Sequence, residues 1–163
     1  MFARVWLWIG MMTLAAAAAG IAVPLLTVHR APEPQARQYL HVSACLLTDP
    51  SGVVPGTPAA PVWTAMQSAS LATRVMVSYL PDTGPSDISP MISTLAQRKC
   101  GLIITTAAAA ARAVSAARDY PHQQFLIITA GGAATAPPNA LLIPPAAAPA
   151  RIAQAIRALS AQT

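Results

Sequence analysis

Two short runs, residues 101–105 (GLIIT) and 124–129 (QFLIIT), carry apolar side chains at almost every consecutive position. Successive side chains of a strand point to opposite faces. A strand that is apolar on both faces therefore has to be covered on both. A parallel sheet sandwiched between two helix layers meets that demand. The rest of the chain supplies such layers. Residues 40–48 (LHVSACLLT) form a β-rich run ending at Asp49, followed by a Pro/Gly-rich loop over 50–58. A helix is expected from about Ala60–Pro61, since proline suits the first helical position, with Val62, Met66 and Ala69 on one face and Trp63 beside them.

Residues 74–80 (RVMVSYL) alternate and are bounded by Pro81, which predicts a second strand. Asp87 or Ser89 is placed to cap a second helix that runs to about Arg98 and buries Met91, Ile92 and Leu95. Thr106 is placed to cap a third helix over 107–120, stopped by Pro121. Residues 141–143 allow a short fifth strand. A last helix over 149–160 sets Ile152, Ile156 and Leu159 on one face. The order β-α-β-α-β-α-β-β-α predicts an α/β domain with an open, doubly wound parallel sheet.

Sheets of this kind bind ligands beyond the carboxyl ends of their strands, at the switch point of the strand order. The candidates there are Asp49, Ser51 and Gly52 after the first strand, Thr105 and Thr106 after the third, and Thr129 and Gly131 after the fourth. Each has a structural alternative. Asp49 suits a loop cap for the Ser51-Gly52 turn, and Thr106 a helix cap. Trp63 reads as core rather than as a stacking platform, and Arg112 and Arg118 as the solvated face of the third helix.

No charged residue lies between Val5 and Val28, a length sufficient for a helix to cross a bilayer. Trp6 and Trp8 sit near one end, where indole rings favour the interface. Two readings stay open over residues 1–28: a retained transmembrane signal anchor, or a signal peptide cut after Ala19 or Ala22. Either places the remainder outside the cytoplasm, at the cell membrane or secreted. No cysteine closes the stretch, so the usual lipoprotein attachment signal is absent. Residues 29–38 (HRAPEPQARQ) then read as a proline-stiffened tether to a domain over 39–163.

Ten basic residues against five acidic give a net charge of +5. The cations form no run along the chain, so the high pI reads as a scarcity of acids more than a basic patch, and nucleic-acid binding is not expected. The two cysteines, Cys45 and Cys100, fall within the first strand and at the start of the third. Those strands are neighbours in a switch-point topology, and outside the cytoplasm such a pair is expected to oxidise; two buried thiols are the alternative. Neither cysteine has a histidine nearby, so no metal site is expected. Gly131-Gly132 is neither a P-loop nor a dinucleotide fingerprint, and no cofactor is expected. His29, His41 and His122 stand beside no nucleophile motif, so the chain does not read as an enzyme.

Residues 44–80 resemble the opening of the basic membrane protein (BMP) family, nucleoside-type substrate-binding lipoproteins of the type I periplasmic-binding fold that serve ABC importers. Thr48, Asp49, Gly52 and Trp63 fall on the family's T-D-x-G-G…A-W pattern, and residues 92–128 resemble its later helix–strand–helix–strand run with a Y-P turn. The resemblance covers about 40–160 and implies one lobe of a two-lobed clamshell, a nucleoside-like ligand and an ABC permease as partner. Departures accompany it. Pro55, Pro58 and Ala59 stand where the family carries a ligand-facing aspartate, phenylalanine and asparagine, and the sequence ends where the family's second lobe would begin. A degenerate single lobe with weak or no nucleoside affinity is therefore expected. The alternative is an interaction module or homodimer that uses the lobe face and the proline-rich rim over 53–61.

Overall fold

The computed structural model describes residues 37–83, 88–131 and 135–162. They belong to one compact unit, Arg37–Thr163. The apolar run over 5–28, most of the tether and the candidate cap Asp87 lie outside the described residues. Among the described residues, no helix is long and apolar enough to cross a membrane.

Five strands make one all-parallel sheet: β1 (Ser43–Thr48), β2 (Met76–Pro81), β3 (Cys100–Thr105), β4 (Gln124–Ile128) and β5 (Ala140–Ile143), in the order β2-β1-β3-β4-β5. The expected α/β class and parallel sheet are thus observed, and β1 and β3 are hydrogen-bonded neighbours at the point where the order reverses. The connecting helices are α1 (Ala59–Thr73), α2 (Ser89–Gln97), α3 (Ala110–Asp119) and α4 (Ala148–Ser160). Short 3₁₀ turns, Ala107–Ala109 and Pro145–Ala147, lead into the last two. The third helix therefore begins as 3₁₀ and turns α only at Ala110. Its N-cap Thr106 makes no side-chain capping bond, contrary to the capping role the sequence offered it.

The apolar strands bury both faces, as required. Leu46, Leu102, Ile104 and Leu126 pack with Val62 and Met66 of α1 and Ile152 and Ile156 of α4. On the other face Leu47, Ile103, Phe125 and Ile127 pack with Ile92 and Leu95 of α2 and Val114 of α3. Burying one such side chain stabilises by about 1.5–3 kcal/mol, so the two layers are the main source of cohesion.

Gly101 marks an irregularity. Ser43 pairs with Cys100 and Ala44 with Leu102, so Gly101 is the extra residue of a bulge in β3. A Cβ there would come within 2.8 Å of Leu159 Cδ1, so the glycine also lets α4 approach the sheet. Cys45 and Cys100 face the same side, with Cα atoms 5.8 Å apart, and form a disulfide between the two central strands.

Two polar anchors hold the ends of elements. Buried Asn139, just before β5, donates from Nδ2 to the carbonyls of Ala117, Tyr120 and Gln123 at 3.0, 2.9 and 2.8 Å. It thereby closes the end of α3 and the loop that follows. Buried Ser70 donates to the Val75 carbonyl at 2.7 Å and fastens the α1–β2 turn. Arg74 closes α1 in the left-handed region at φ 64°, so β2 begins at Met76 rather than at Arg74.

Candidate functional site

In a parallel sheet all strands end on the same edge, so the residues after β1, β3 and β4 assemble there whatever their separation in sequence. Consecutive residues leave a strand on opposite faces, however. Thr105 and Thr106 are therefore divided by the sheet, and of the candidates only Thr106 and Asp49 reach a cavity at this edge, each a different one.

On the α1/α4 side lies a cavity of about 210 Å³. Its walls are Pro58, Pro61 and Val62 from the start of α1, Thr106 and Ala107 after β3, Ile128 at the end of β4, and Pro145, Ala148 and Pro149 leading into α4. Nearly all of these are apolar. Thr106 is the exception: it is 2% exposed, and its Oγ1 has no hydrogen-bond partner among the described residues. Burying a hydroxyl without a partner costs about 1–3 kcal/mol. A partner for this hydroxyl is therefore favoured by the protein's own energetics. An apolar cavity of about 150 Å³ suffices for a benzene-sized ring. The space beside Thr106 accommodates one ring and a small substituent.

On the α2/α3 side a cavity of about 310 Å³ is lined by Thr48, Asp49, Pro50, Asp82, Thr83, Ala108, Ala109 and Arg112. Its floor is an ion pair, Arg112 Nη2 to Asp82 Oδ2 at 2.9 Å, with the Asp82 side chain 5% exposed and that of Arg112 32%. Arg112 is thus not on a solvated helix face, as the sequence implied. It folds back over the strand ends to compensate a buried carboxylate, which would otherwise be costly to desolvate. Asp82 was missed by the sequence reading. Its one signal is position, as the residue that follows β2.

The remaining candidates serve the loops that carry them. Asp49 Oδ1 accepts from Ser51 N at 2.9 Å and its carbonyl from Gly52 N at 3.0 Å, which is the loop-capping alternative. Gly52 is buried with φ +68° in that turn. Thr129 Oγ1 accepts from Gly131 N at 3.2 Å. Thr105 is fully buried, and its Oγ1 also lacks a partner among the described residues. Thr105, Ser51, Gly52, Thr129 and Gly131 line neither cavity. Trp63 is half-buried against the core and meets Tyr79 edge-to-face, with ring centroids 5.3 Å apart.

A wider groove of about 380 Å³ runs between α1 and α4, lined by residues such as Ala65, Ala72, Ala153 and Arg157. It lies along the helices, shares Pro149 with the Thr106 cavity, and is lined by no buried unpartnered group among the described residues. Among the described residues no three His, Cys, Asp or Glu side chains cluster as metal ligands would.

The chain is similar in structure to a crystal structure of a "putative lipoprotein" fragment from Peptoclostridium difficile 630. The TM-score is 0.60 and the identity 21%, with 74% of this chain and 97% of that chain covered. This likeness shows the fold. No family model matches the chain, and neither does any curated protein.

Proposed function

We propose that this chain is a non-catalytic ligand-binding domain held outside the cytoplasm by its N-terminal segment, akin to the first lobe of a BMP-type substrate-binding protein that delivers a small solute to an ABC permease. The observation that carries the reading is the buried, unpartnered Thr106 hydroxyl beside an apolar cavity at the carboxyl edge of the sheet. The uncharged run over 5–28 and the lipoprotein description of the structural neighbour support the extracytoplasmic placement. Nucleoside affinity is weakened in this reading. The lining offers one hydroxyl where a ribose and a base present many polar groups, and each left unpaired costs about 1–3 kcal/mol.

Calorimetry and thermal-shift measurements on the full chain test this, with nucleosides on one side and benzyl alcohol and indole as ring-sized probes on the other. Ring-sized probes raise the melting temperature, and Thr106→Val removes the effect for benzyl alcohol. Tight one-to-one nucleoside binding by the monomer overturns the weakened-affinity reading. Silence from every probe overturns ligand binding itself.

The proline-rich rim favours a second reading, a docking surface for a partner or a second copy. Val54 is 59% exposed, and Pro58 and Pro61 stand exposed at the cavity mouth. A concentration-dependent dimer in sedimentation, without ligand response, selects it.

A further inference from the structure

Cations scattered along the sequence gather in space. The amino ends of the strands and the carboxyl ends of the helices share the edge opposite the two cavities at the strands' carboxyl ends, since every strand is parallel. Arg37, Arg74, Arg98, Lys99, Arg118 and Arg157 all fall on that edge and are all exposed, with Asp119 the one carboxylate there among the described residues. The loops that carry them are bonded to one another. Arg37 donates to the Leu71 carbonyl, Leu40 N to the Arg74 carbonyl, and Ser43 Oγ to the Lys99 carbonyl. Helix dipoles favour cations at helix carboxyl ends, Arg37 on the Leu71 carbonyl of α1 included. They leave unexplained the large apolar side chains exposed at the same edge: Tyr39, Leu71 and Met76 at 48, 64 and 44%.

We propose that this basic, apolar-fringed edge docks onto an anionic lipid surface. Cations around protruding Tyr, Leu and Met side chains match the interfacial region of a bilayer, where charged headgroups lie above hydrocarbon. Arg37 opens the domain on this edge, nine residues beyond Val28, so the chain enters the domain at the face proposed to meet lipid, which fits the anchored reading proposed above.

Hydrogen exchange on the full chain, with vesicles of phosphatidylcholine alone or with about 30% phosphatidylglycerol, reads the docking directly. Amides over 38–42, 74–76 and 98–100 exchange several-fold more slowly on the anionic vesicles only. The protection disappears at about 0.5 M salt, where screening shortens to about 4 Å. Arg98→Glu with Lys99→Glu abolishes it, and Arg37→Glu with Arg118→Glu does so independently. Arg151→Glu, on the other edge, leaves it intact.

Equal protection on both vesicle types overturns the proposal, as does equal loss with Arg151→Glu. Equal protection of the same amides by single-stranded RNA overturns it in favour of a general polyanion site. Co-sedimentation with both vesicle types but no charge-dependent protection leaves the anchor standing and removes the docking. Protection by anionic vesicles without co-sedimentation on neutral ones supports docking and removes the anchor.

Discussion

Asn139 gives the sharpest test of how the fold is closed. Its amide carries two N–H groups facing three carbonyl oxygens, all within 3.0 Å, in a site 8% exposed. Each hydrogen bond contributes about 1–1.5 kcal/mol net, and orphaned buried carbonyls add a desolvation penalty. Asn139→Ala should therefore cost about 3 kcal/mol. For a unit of roughly 130 residues, 1 kcal/mol corresponds to about 4 °C, so the melting temperature should fall by about 12 °C. Asn139→Asp separates the bonds from the volume. At neutral pH it points a carboxylate at three carbonyl oxygens and costs more than alanine. The native state then binds the Asp proton more tightly than the unfolded chain does. Stability of that variant accordingly rises as pH falls through the window between the two pKa values. Thermal melts followed by circular dichroism at neutral and acidic pH provide the measurement. A loss under 1 kcal/mol for alanine, or an Asp variant that is no worse than Ala at neutral pH, refutes the reasoning.

Three further outcomes are expected. Reducing Cys45–Cys100, or replacing both by alanine, opens a loop with a sequence separation of 55 and should cost about 4 kcal/mol in the chain-entropy account, read as the melting shift with and without reductant. Thr105→Val and Thr106→Val each remove an unpartnered buried hydroxyl and should stabilise by about 1 kcal/mol in denaturant melts. Only the second should weaken benzyl alcohol binding. Gly101→Ala forces Leu159 aside and should cost about 1–2 kcal/mol, with Gly101→Val costing more; equal melting of the two variants removes the close-approach argument.

The sheet was legible because its central strands state their environment locally. GLIIT and QFLIIT are apolar on both faces, and only a covered parallel strand suits them. The neighbouring of β1 and β3 followed from the switch-point order, and the disulfide from that neighbouring. The candidate site was legible only by edge. Thr105 and Thr106 were grouped because they adjoin in sequence, yet a period of two separates them across the sheet. Asp82 and Asn139 were not found, because their meaning comes from partners 30 and 16 to 22 residues away, Arg112 in the first case and the Ala117, Tyr120 and Gln123 carbonyls in the second. Arg112 was misread for the same reason. The basic edge was invisible to a search for runs because parallel topology, rather than proximity in sequence, brings its cations together.

The cross-link between the two central strands makes a covalent ring of everything from Cys45 to Cys100, which includes α1, β2 and α2. A protease cut anywhere between Leu46 and Lys99 severs the backbone without parting the pieces. Nicked protein therefore migrates as an intact chain until a thiol is added, and the edge carrying β2 can open and be clipped while the central pair stays joined.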